Sequence, residues 1–313
     1  DVEGGVEVRG ARGRPPTDSL KVCCTYLEGF KATAVCCVGG PKSAAKGRRV
    51  ADAILKRSRG LFVERGFGDF SRTHVQVLGG EDTYGPHSAP GDGPREAVLW
   101  MSVHHTERKA LEVFSREVAS AGTGMAPGLT SIVGGRPRAT PILRLHSFLV
   151  KKEKVKPQIN VGDLVKETST GVEGCVSPDS CNLEDQPVSQ VPTDLARGTN
   201  SLSALAFTRS GDKGDSCNIG VVARKEAFLP YIQDALTRDA VAAFFGHLFD
   251  QGVDPKQKVK RYEVAGIHAL NFVLEECLGG GGVASLRSDP QGKALGQMIL
   301  DFQVRNMPDI QSL

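Results

Sequence analysis

The sequence lacks any uninterrupted apolar stretch of about 20 residues, the length that an α-helix needs to cross a bilayer. We therefore expect neither an integral membrane protein nor a membrane partner. The sequence also lacks a large excess of one charge, because 39 Lys and Arg face 36 Asp and Glu, for a formal net charge of +3. Its basic residues are scattered among acidic ones, whereas nucleic-acid-binding proteins usually carry a basic patch or stripe. Nucleic acid is therefore not an expected partner.

No Cys-x-x-Cys pair is present, and no group of Cys and His has the spacing of a zinc site. We expect neither a metal nor a cofactor. The eight cysteines are expected to be free thiols, because a chain of 313 residues can build a core that needs no disulfides. The alternative is a cross-strand disulfide, in which Cys23 or Cys24 faces Cys36 or Cys37. Free thiols and the lack of a visible signal peptide indicate the cytoplasm or the mitochondrial matrix.

Composition divides the chain into three regions. Residues 1–150 alternate strand-like and helical patterns and predict a mixed α/β portion of a larger domain. Residues 151–200 are rich in Ser, Thr, Pro, Gly and acids, and predict a flexible linker. In residues 201–313, strand patterns interleave with two helical blocks, which suits a small ferredoxin-like α+β sandwich domain. The predicted fold class is therefore α+β.

Local patterns in the first region predict individual elements. Two strand-like runs within residues 20–38 flank a turn-like segment, 28–31, and predict a β-hairpin. An amphipathic helix with a basic outer face is expected over 42–65, ended by Gly66. Thr106 is expected to cap a second helix. The other strands predicted in this region are 73–78, 97–104 and 141–150.

The third region is predicted in the same way. A helical stretch in two pieces is expected over 228–249, with Thr237 or Asp239 capping the second piece. An apolar helix is expected over 267–278. The predicted strands are 202–208, 218–224, 259–264 and 298–304.

The most polar string of this region, residues 209–218, lies between two predicted strands. Gly211 and Gly214 can turn successive backbone N–H groups inward and form an anion-binding nest. Asp212 and Asp215 could bind a cation or pair with the neighbouring basic side chains. The spacing is neither that of a P-loop nor that of an EF-hand. A salt-bridged β-turn, in which Asp and Gly are favoured for conformational reasons, is the alternative.

We take this string as the first candidate site. The candidate catalytic residues are Asp212, Lys213 and Asp215. The candidate substrate-binding residues of the same string are Arg209, Ser210, Gly211, Gly214, Ser216 and Asn218. For Cys217, burial as a strand residue is favoured over an activated thiol, because no histidine is near it in sequence.

A run of four glycines, residues 279–282, follows the predicted helix 267–278. One glycine suffices to end a helix, so four indicate a close backbone approach to another chain or a ligand, or else a tight turn. His268 and Asn271, three residues apart, would share a helix face and could line a pocket. The alternative for His268 is a surface or helix-capping residue. His268, Asn271, Gly280 and Gly281 are therefore further candidate binding residues.

A second glycine-rich stretch, residues 124–137, lies in the first region. Its glycines bracket a short apolar segment and could line a binding loop with Arg136 as an anion contact. A long structural loop is the alternative.

Three strings resemble a known family. Residues 208–224 (TRSGDKGDSCNIGVVAR) and 268–300 resemble the two signatures of the ferredoxin-like C-terminal domain of the acyclic terpene utilisation (AtuA) family. Residues 95–150 are similar to the end of that family's large N-terminal domain, which normally extends further towards the N terminus. Cys217 stands where a small residue such as alanine is usual.

The resemblance implies a place in the breakdown of acyclic terpenes through acyl-CoA intermediates. It implies this metabolic setting but no particular reaction. The step that we expect first is a lyase or hydratase reaction on a carboxylate or acyl thioester, with a small-molecule substrate that could be a CoA thioester. Lys213 would bind or polarise the anion, and Asp212 or Asp215 would act as the acid/base. The alternative is a non-catalytic assembly or partner-binding subunit of a catabolic complex. A homo-oligomer or a hetero-complex with another subunit is expected.

Overall fold

The computed structural model describes residues 9–89, 93–178 and 198–313. Contacts within the chain divide it into two units. The first unit comprises Asp1–Thr25 and Leu145–Glu184, and the second comprises Tyr26–Arg144 and Asp185–Leu313. None of the helices in the described ranges is long and apolar enough to cross a membrane.

A five-stranded sheet forms the N-terminal part of the fold. Its strands are β1 (Ser19–Gly39), β2 (Arg72–Leu78), β3 (Glu96–His105), β4 (Leu129–Ile132) and β5 (Thr140–Lys151). Their order is β2-β3-β1-β4, with β5 also paired to β1. Two helices, α1 (Ser43–Glu64) and α2 (Arg108–Gly124), pack against this sheet. The predicted helix 42–65 and the strands 73–78, 97–104 and 141–150 are thus confirmed within two residues at each end.

The core of this part lies between the sheet and the two helices. Alternate residues of β1 and β3 point into it because side chains alternate along a strand. Its fully buried members include Ala32, Ala34, Ile54, Phe62, Leu99, Met101, Leu111 and Phe114. Thr106 does not cap α2, since Glu107 occupies the N-cap position and makes no side-chain capping hydrogen bond.

The predicted hairpin at 28–31 is wrong, because β1 is one continuous strand of 21 residues. Pairing with β3, from Phe30 opposite His105 to Gly39 opposite Glu96, begins within the predicted turn and holds Phe30 and Lys31 extended. Gly29 instead allows close packing against His104. Its φ is 142°, and a Cβ there would lie only 2.8 Å from His104 Nε2. Because both cysteine pairs lie on the same strand, the alternative cross-strand disulfide is also wrong.

The cysteines of the described ranges are free. This confirms the expected thiols at Cys23, Cys24, Cys36, Cys37, Cys175, Cys217 and Cys277. Cys181 lies outside the described residues.

The first unit contains a hairpin within residues 151–200. Strands β6 (Gln158–Val161) and β7 (Leu164–Glu167) pair antiparallel around Gly162, whose φ is 56°. All eight of their residues are exposed. The described part of the predicted linker therefore contains regular structure. Glycine followed by Asp163 is a hairpin-turn signal that composition alone does not reveal. The boundaries 1–150, 151–200 and 201–313 stay predictions.

A four-stranded antiparallel sheet forms the C-terminal part. It contains β9 (Ala206–Lys213), β10 (Ser216–Ala223), β11 (Val259–Val264) and β12 (Ala269–Leu274), in the order β11-β12-β10-β9. A separate pair joins β8 (Gly198–Ser201) to β13 (Gln303–Met307). The helices are α3 (Leu202–Leu205), α4 (Leu229–Ala235), α5 (Arg238–Phe244), α6 (Pro255–Lys258), α7 (Gly281–Ala284) and α8 (Leu295–Met298).

The two longest of these helices pack against the sheet. One cluster of buried apolar side chains joins β10 and β12 to α4 and α5. The two-piece helix predicted over 228–249 is confirmed, and Thr237 caps its second piece by accepting a hydrogen bond from the Ala240 N–H at 3.1 Å. The predicted strand 202–208 begins later, at Ala206, after the single turn of α3.

The predicted helix 267–278 is wrong, because its centre is β12. Leu270, Phe272 and Leu274 are buried, and the residues between them point to the other face, which is the period of a strand. A short apolar run does not distinguish the two structures; pairing with β10 and β11 does. The closing strand predicted at 298–304 is likewise shifted, to β13.

Candidate functional site

Most of the predicted polar loop 209–218 is a tight β-hairpin. Strand β9 runs to Lys213 and β10 starts at Ser216, directly opposite it, so Gly214 and Asp215 form a two-residue turn. Gly214 has a φ of 68°, in the left-handed region that favours glycine. The segment therefore consists of two paired strands joined by a short tip.

The hairpin separates the candidate residues onto two faces. Residues opposite one another in an antiparallel pair share a face, and alternate residues along a strand share one too. The outer face carries Arg209, Gly211, Lys213, Ser216, Asn218 and, across Gly220, Asn271. On it, the Asn218 amide nitrogen lies 3.4 Å from the Asn271 amide oxygen.

Ser210 lies on the inner side of the hairpin, where it positions the protein's own backbone. Its hydroxyl donates to the carbonyls of Gly292 at 2.6 Å and Lys293 at 3.1 Å, and accepts from the Gly296 N–H at 2.8 Å. The side chain is buried. Ser210 thus ties β9 to α8 and the residues before it.

The two aspartates of the hairpin face the glycine segment (residues 279–282). Asp215 Oδ1 accepts a hydrogen bond from the Gly280 N–H at 2.7 Å. Asp212 Oδ2 lies 3.9 Å from the position that a Cβ on Gly282 would take, and Asp212 Oδ1 lies 3.4 Å from Gln291 Nε2. The close backbone approach predicted for the glycines occurs against the chain's own hairpin.

The N-terminal sheet contributes three charged residues that the sequence did not reveal. Arg144, in β5, donates from Nε to Glu28 Oε2 at 2.7 Å. Its guanidinium carbon lies 3.5 Å from the position of a Cβ on Gly280. The hydrogen bond to Glu28 raises the pKa of Arg144. Lys31, in β1, donates from Nζ to the carbonyls of Val283 at 2.5 Å and Ser285 at 3.2 Å, and burial lowers its pKa.

These groups meet at one place, which we call the junction site. It comprises Glu28, Lys31, Arg144, Asp212, Asp215 and the glycine segment. Because its members are more than 60 residues apart along the chain from one strand group to the next, no local pattern could show that they meet. A lone arginine within an apolar strand was the one available signal.

A polar face of the N-terminal sheet adjoins the junction site. On β1, β3 and β2, Lys31, His104 and Arg72 lie side by side, and the next set on the same face is Thr33, Ser102 and His74. His104 is 7% exposed, and its Nε2 has no hydrogen-bond partner among the described residues. Burial lowers the pKa of His104 and of His74, so both imidazoles are neutral near pH 7.

Residues 283–288 lie over this polar face. Besides the bonds from Lys31, Trp100 Nε1 donates to the Leu286 carbonyl at 2.9 Å, and the Ser288 N–H donates to Gln76 Oε1 at 3.0 Å. Each of the three strands β1, β3 and β2 thus bonds to the segment. Arg287 donates to the carbonyls of Cys277 and Leu248, and burial lowers its pKa.

His268 lies far from the hairpin tip. It is in a left-handed conformation before β12, with φ at 50°, and its carbonyl accepts from the Ala223 N–H at 3.0 Å. Ser216 and Ala223 are seven residues apart on β10, so His268 and the tip are separated by roughly 20 Å of strand. His268 and Asn271 therefore do not share a helix face, and His268 is not part of the junction site.

Two further observations concern the Cys217 thiol and the grouping of possible metal ligands. Cys217 is fully buried, and burial raises the pKa of its thiol to about 11, so the thiol is protonated at neutral pH. Within the described ranges, no three His, Cys, Asp or Glu side chains are grouped so that they could hold a metal ion.

Comparisons with known proteins agree with this architecture. The family model for acyclic terpene utilisation family protein AtuA matches residues 2–161, which is more than half of the chain. The model for the AtuA ferredoxin-like domain matches residues 200–305, which include the four-stranded sheet and the glycine segment. The chain therefore belongs to the acyclic terpene utilisation family AtuA. A search of curated proteins found no match, and a search of solved structures found none either.

The family match confirms the predicted resemblance and the α+β fold with a ferredoxin-like domain. Membership of the family suggests a role in acyclic terpene utilisation.

Proposed function

We propose that this chain is an enzyme that acts on a carboxylate or acyl thioester in the breakdown of acyclic terpenes or related branched acids, by a lyase or hydratase reaction. The observation that supports the proposal is the convergence of Asp212, Asp215 and Arg144 on the glycine segment. Carboxylates for proton transfer and a guanidinium for an anion are the groups that such a reaction needs.

Asp212 is the proposed acid/base. Adding or removing water or an acyl group beside a carbonyl requires a group that takes a proton and later returns it. Within the described ranges, the Asp212 carboxylate accepts one hydrogen bond, the long 3.4 Å contact from Gln291. Because the carboxylate is otherwise uncommitted, it is available to a substrate.

Arg144 is the proposed anion-binding group. Its Nε is held by Glu28, and among the described residues nothing accepts a hydrogen bond from its two terminal nitrogens. Glycine at position 280 leaves space beside the guanidinium, since a Cβ there would lie 3.5 Å from Nη1. A planar guanidinium fixed in this way suits a carboxylate or a thioester oxygen.

Lys213 is assigned as a second anion contact at the tip of the hairpin. Its ammonium group is exposed and donates to the Asp212 carbonyl at 2.9 Å. Although it starts on the outer face, its long stem can reach around the two-residue tip. The outer-face residues beside it are assigned to the polar remainder of the same ligand, namely Arg209, Ser216, Asn218 and Asn271.

Asp215 is assigned to positioning rather than proton transfer. One of its carboxylate oxygens is occupied by the Gly280 N–H, which fixes the glycine segment beside Asp212. Gly281 permits this contact because it carries no side chain, since a Cβ there would lie 2.5 Å from the Gly214 carbonyl oxygen.

The test is a thermal-shift screen of the full chain against CoA, branched acyl-CoAs and free branched carboxylic acids. A ligand at about 100 times its dissociation constant should add roughly 2.7 kcal/mol of stability. We expect a shift with an acyl-CoA or an acid that is lost in Arg144→Gln and retained in the exposed control Lys56→Gln. No shift with any of these ligands, in folded protein, would overturn the proposal.

Measurements of kcat in variants test the proposed roles of Asp212 and Lys213. Once a substrate is found, Asp212→Asn and Lys213→Ala should each lower kcat at least about tenfold, because acid/base and anion-stabilising groups usually contribute that much or more. Asp52→Asn, at an exposed position of α1, is the control for charge. Unchanged turnover in Lys213→Ala would remove that residue from the mechanism.

A partner-binding role is the second candidate, and a separate observation favours it. At the end of the four-stranded sheet away from the tip, Phe207, Val222, Ala269 and Val264 form an apolar row across all four strands on the outer face, in which Ala269 is buried and Phe207 and Val264 are exposed. Phe207 is 57% exposed, and nearby Ile267 is 58% exposed. Exposed apolar surface of this kind often marks an interface with another subunit.

Light scattering during gel filtration tests this second role. If the row is an interface, the chain should elute as an oligomer, or with an added partner subunit, and Phe207→Ser should dissociate it. A monomer that does not change mass with Phe207→Ser, and that does respond to acyl ligands, would leave the enzyme as the supported function.

A further inference from the structure

Beyond the junction site, an arginine-lined cleft opens between α2 and the start of β5. Its volume is about 600 Å³. The lining residues include Arg108 and Arg116 of α2, and Arg136 and Arg138 of the loop that leads into β5. The one acid among the described residues that line it is Glu112. The cleft is thus a concave surface with a strong excess of positive charge.

The sequence places all five charged side chains on one surface for simple geometric reasons. Arg108, Glu112 and Arg116 are spaced by four residues and therefore follow one face of α2. Arg136 and Arg138 flank Pro137, which is buried. Both arginines are exposed on either side of this buried proline.

The arginines are not neutralised by the protein itself. Arg108 pairs with Glu112 at 3.7 Å, a long and exposed ion pair. Within the described ranges, the guanidinium groups of Arg116, Arg136 and Arg138 make no hydrogen bond or ion pair. Holding several like charges together without counter-charges destabilises the folded protein, so their presence indicates a ligand of opposite charge.

We propose that this cleft binds the phosphate groups of a soluble organic phosphate. Guanidinium forks match phosphate oxygens with two parallel hydrogen bonds, and three unpaired forks around one cavity suit a ligand with two or more negative charges. A nucleic acid is disfavoured because the charge lines a confined cleft rather than a stripe, and the whole chain carries a net charge of only +3.

The cleft and the junction site lie along one strand. Thr140, at the edge of the cleft, and Arg144 are four residues apart on β5, a distance of roughly 13 Å. A thioester carried on a phosphate-bearing coenzyme could therefore place its phosphates in the cleft and its acyl group at the glycine segment. This last step rests on the proposed function, whereas phosphate binding by the cleft does not.

Isothermal titration with pyrophosphate tests the cleft directly. We expect saturable binding by the full chain at low ionic strength, weakening as salt is added, since exposed charges are screened. The variant Arg136→Gln/Arg138→Gln should weaken binding at least about tenfold, the size expected for lost charge-assisted hydrogen bonds. Arg49→Gln, an exposed arginine of α1, should leave binding unchanged.

A variant that is expected to tighten pyrophosphate binding, rather than weaken it, makes the test sharper. Glu112→Gln removes the one acid and should tighten pyrophosphate binding by about two- to fivefold, as for a surface charge pair. Because every substituted residue is exposed, unchanged melting temperatures are the check on folding. Absence of pyrophosphate binding by the wild-type chain, or binding that the double variant retains, would overturn the proposal.

The two proposals can fail separately. Pyrophosphate binding without any response to branched acyl ligands would support the cleft and contradict the enzyme. A response to free branched acids that pyrophosphate does not affect, with no pyrophosphate binding, would support the enzyme and contradict the cleft. Citrate is the control anion, because its charge is similar but it carries no phosphate.

Discussion

Gly281 and Gly214 are in such close contact that a Cβ on Gly281 would lie 2.5 Å from the Gly214 carbonyl oxygen. Real Cβ atoms do not approach carbonyl oxygens so closely, and Gly281 also has a φ of 80°. This contact joins the tip of the hairpin to the glycine segment, and it is the geometric basis of the junction site.

Gly281→Ala should therefore destabilise the protein by about 1–3 kcal/mol, from backbone strain and the displacement of the hairpin tip. Urea unfolding measures the change. The neighbouring Gly282→Ala is the matched control, because a Cβ there would meet Gln291 at an ordinary 3.7 Å. Equal stability of the two variants would show that the close contact is absent in solution.

Asp215→Ala should cost about 1–3 kcal/mol, because it leaves the half-buried Gly280 N–H without its acceptor. Asp215→Asn retains an acceptor oxygen and should recover most of that loss. The comparison by urea unfolding separates the hydrogen bond from the charge. If Asn is as destabilising as Ala, the negative charge beside Arg144 matters more than the bond.

Stability should fall as the pH decreases below about 6.5, the usual histidine pKa. Burial lowers the pKa of His104 and His74 in the folded state, so the unfolded state binds more protons between the lowered value and 6.5. Each histidine can contribute up to about 1.4 kcal/mol per pH unit in that window. Above it both states are neutral, and the effect vanishes.

Urea midpoints measured from pH 8 to pH 5 test this dependence. Carboxylates also titrate there, so the informative quantity is the difference between wild type and His104→Asn, which should lose part of the slope. Lys56→Gln, at an exposed position of α1, leaves both histidines in place and should not. A slope that His104→Asn leaves intact would contradict the prediction.

The cysteines should differ widely in reactivity. Burial raises the pKa of Cys217 to about 11 and that of Cys277 to about 12, so these thiols are protonated and inaccessible at neutral pH. Cys23 and Cys24 are exposed. Brief alkylation followed by mass spectrometry should modify the exposed pair first. Rapid modification of Cys217 would show that the hairpin opens readily.

Elements with a strong local pattern could be predicted from the sequence. The amphipathic α1 and the strands β2, β3, β5 and β11 have such patterns, and their bounds agree closely. The failures have one physical cause, which is that pairing with distant segments decided the conformation. Strand β3 pairs with Phe30 and Lys31 where a turn was predicted, and two flanking strands make β12 from an apolar run that also suits a helix.

The candidate site was predictable only in part. The hairpin and the glycine segment carry unusual compositions, and both are in the junction site. Lys31 and Glu28 have no local signature, and Arg144 is marked only as a lone arginine in an apolar strand, because their role depends on contacts with residues far along the chain. Arg136 was a candidate anion contact from its glycine-rich loop, but its partners on α2 become visible only when the cleft is formed.

The late position of residues 283–288 in the sequence has a consequence for folding during synthesis. The bond from Lys31 to the Ser285 carbonyl joins residues 254 positions apart, so the ribosome completes the N-terminal sheet long before the segment that covers it exists. An uncovered apolar face would invite aggregation during that interval. The part of this face around Lys31, Thr33, Ser102 and His104 is instead polar, so water can solvate it until residues 283–288 are synthesised.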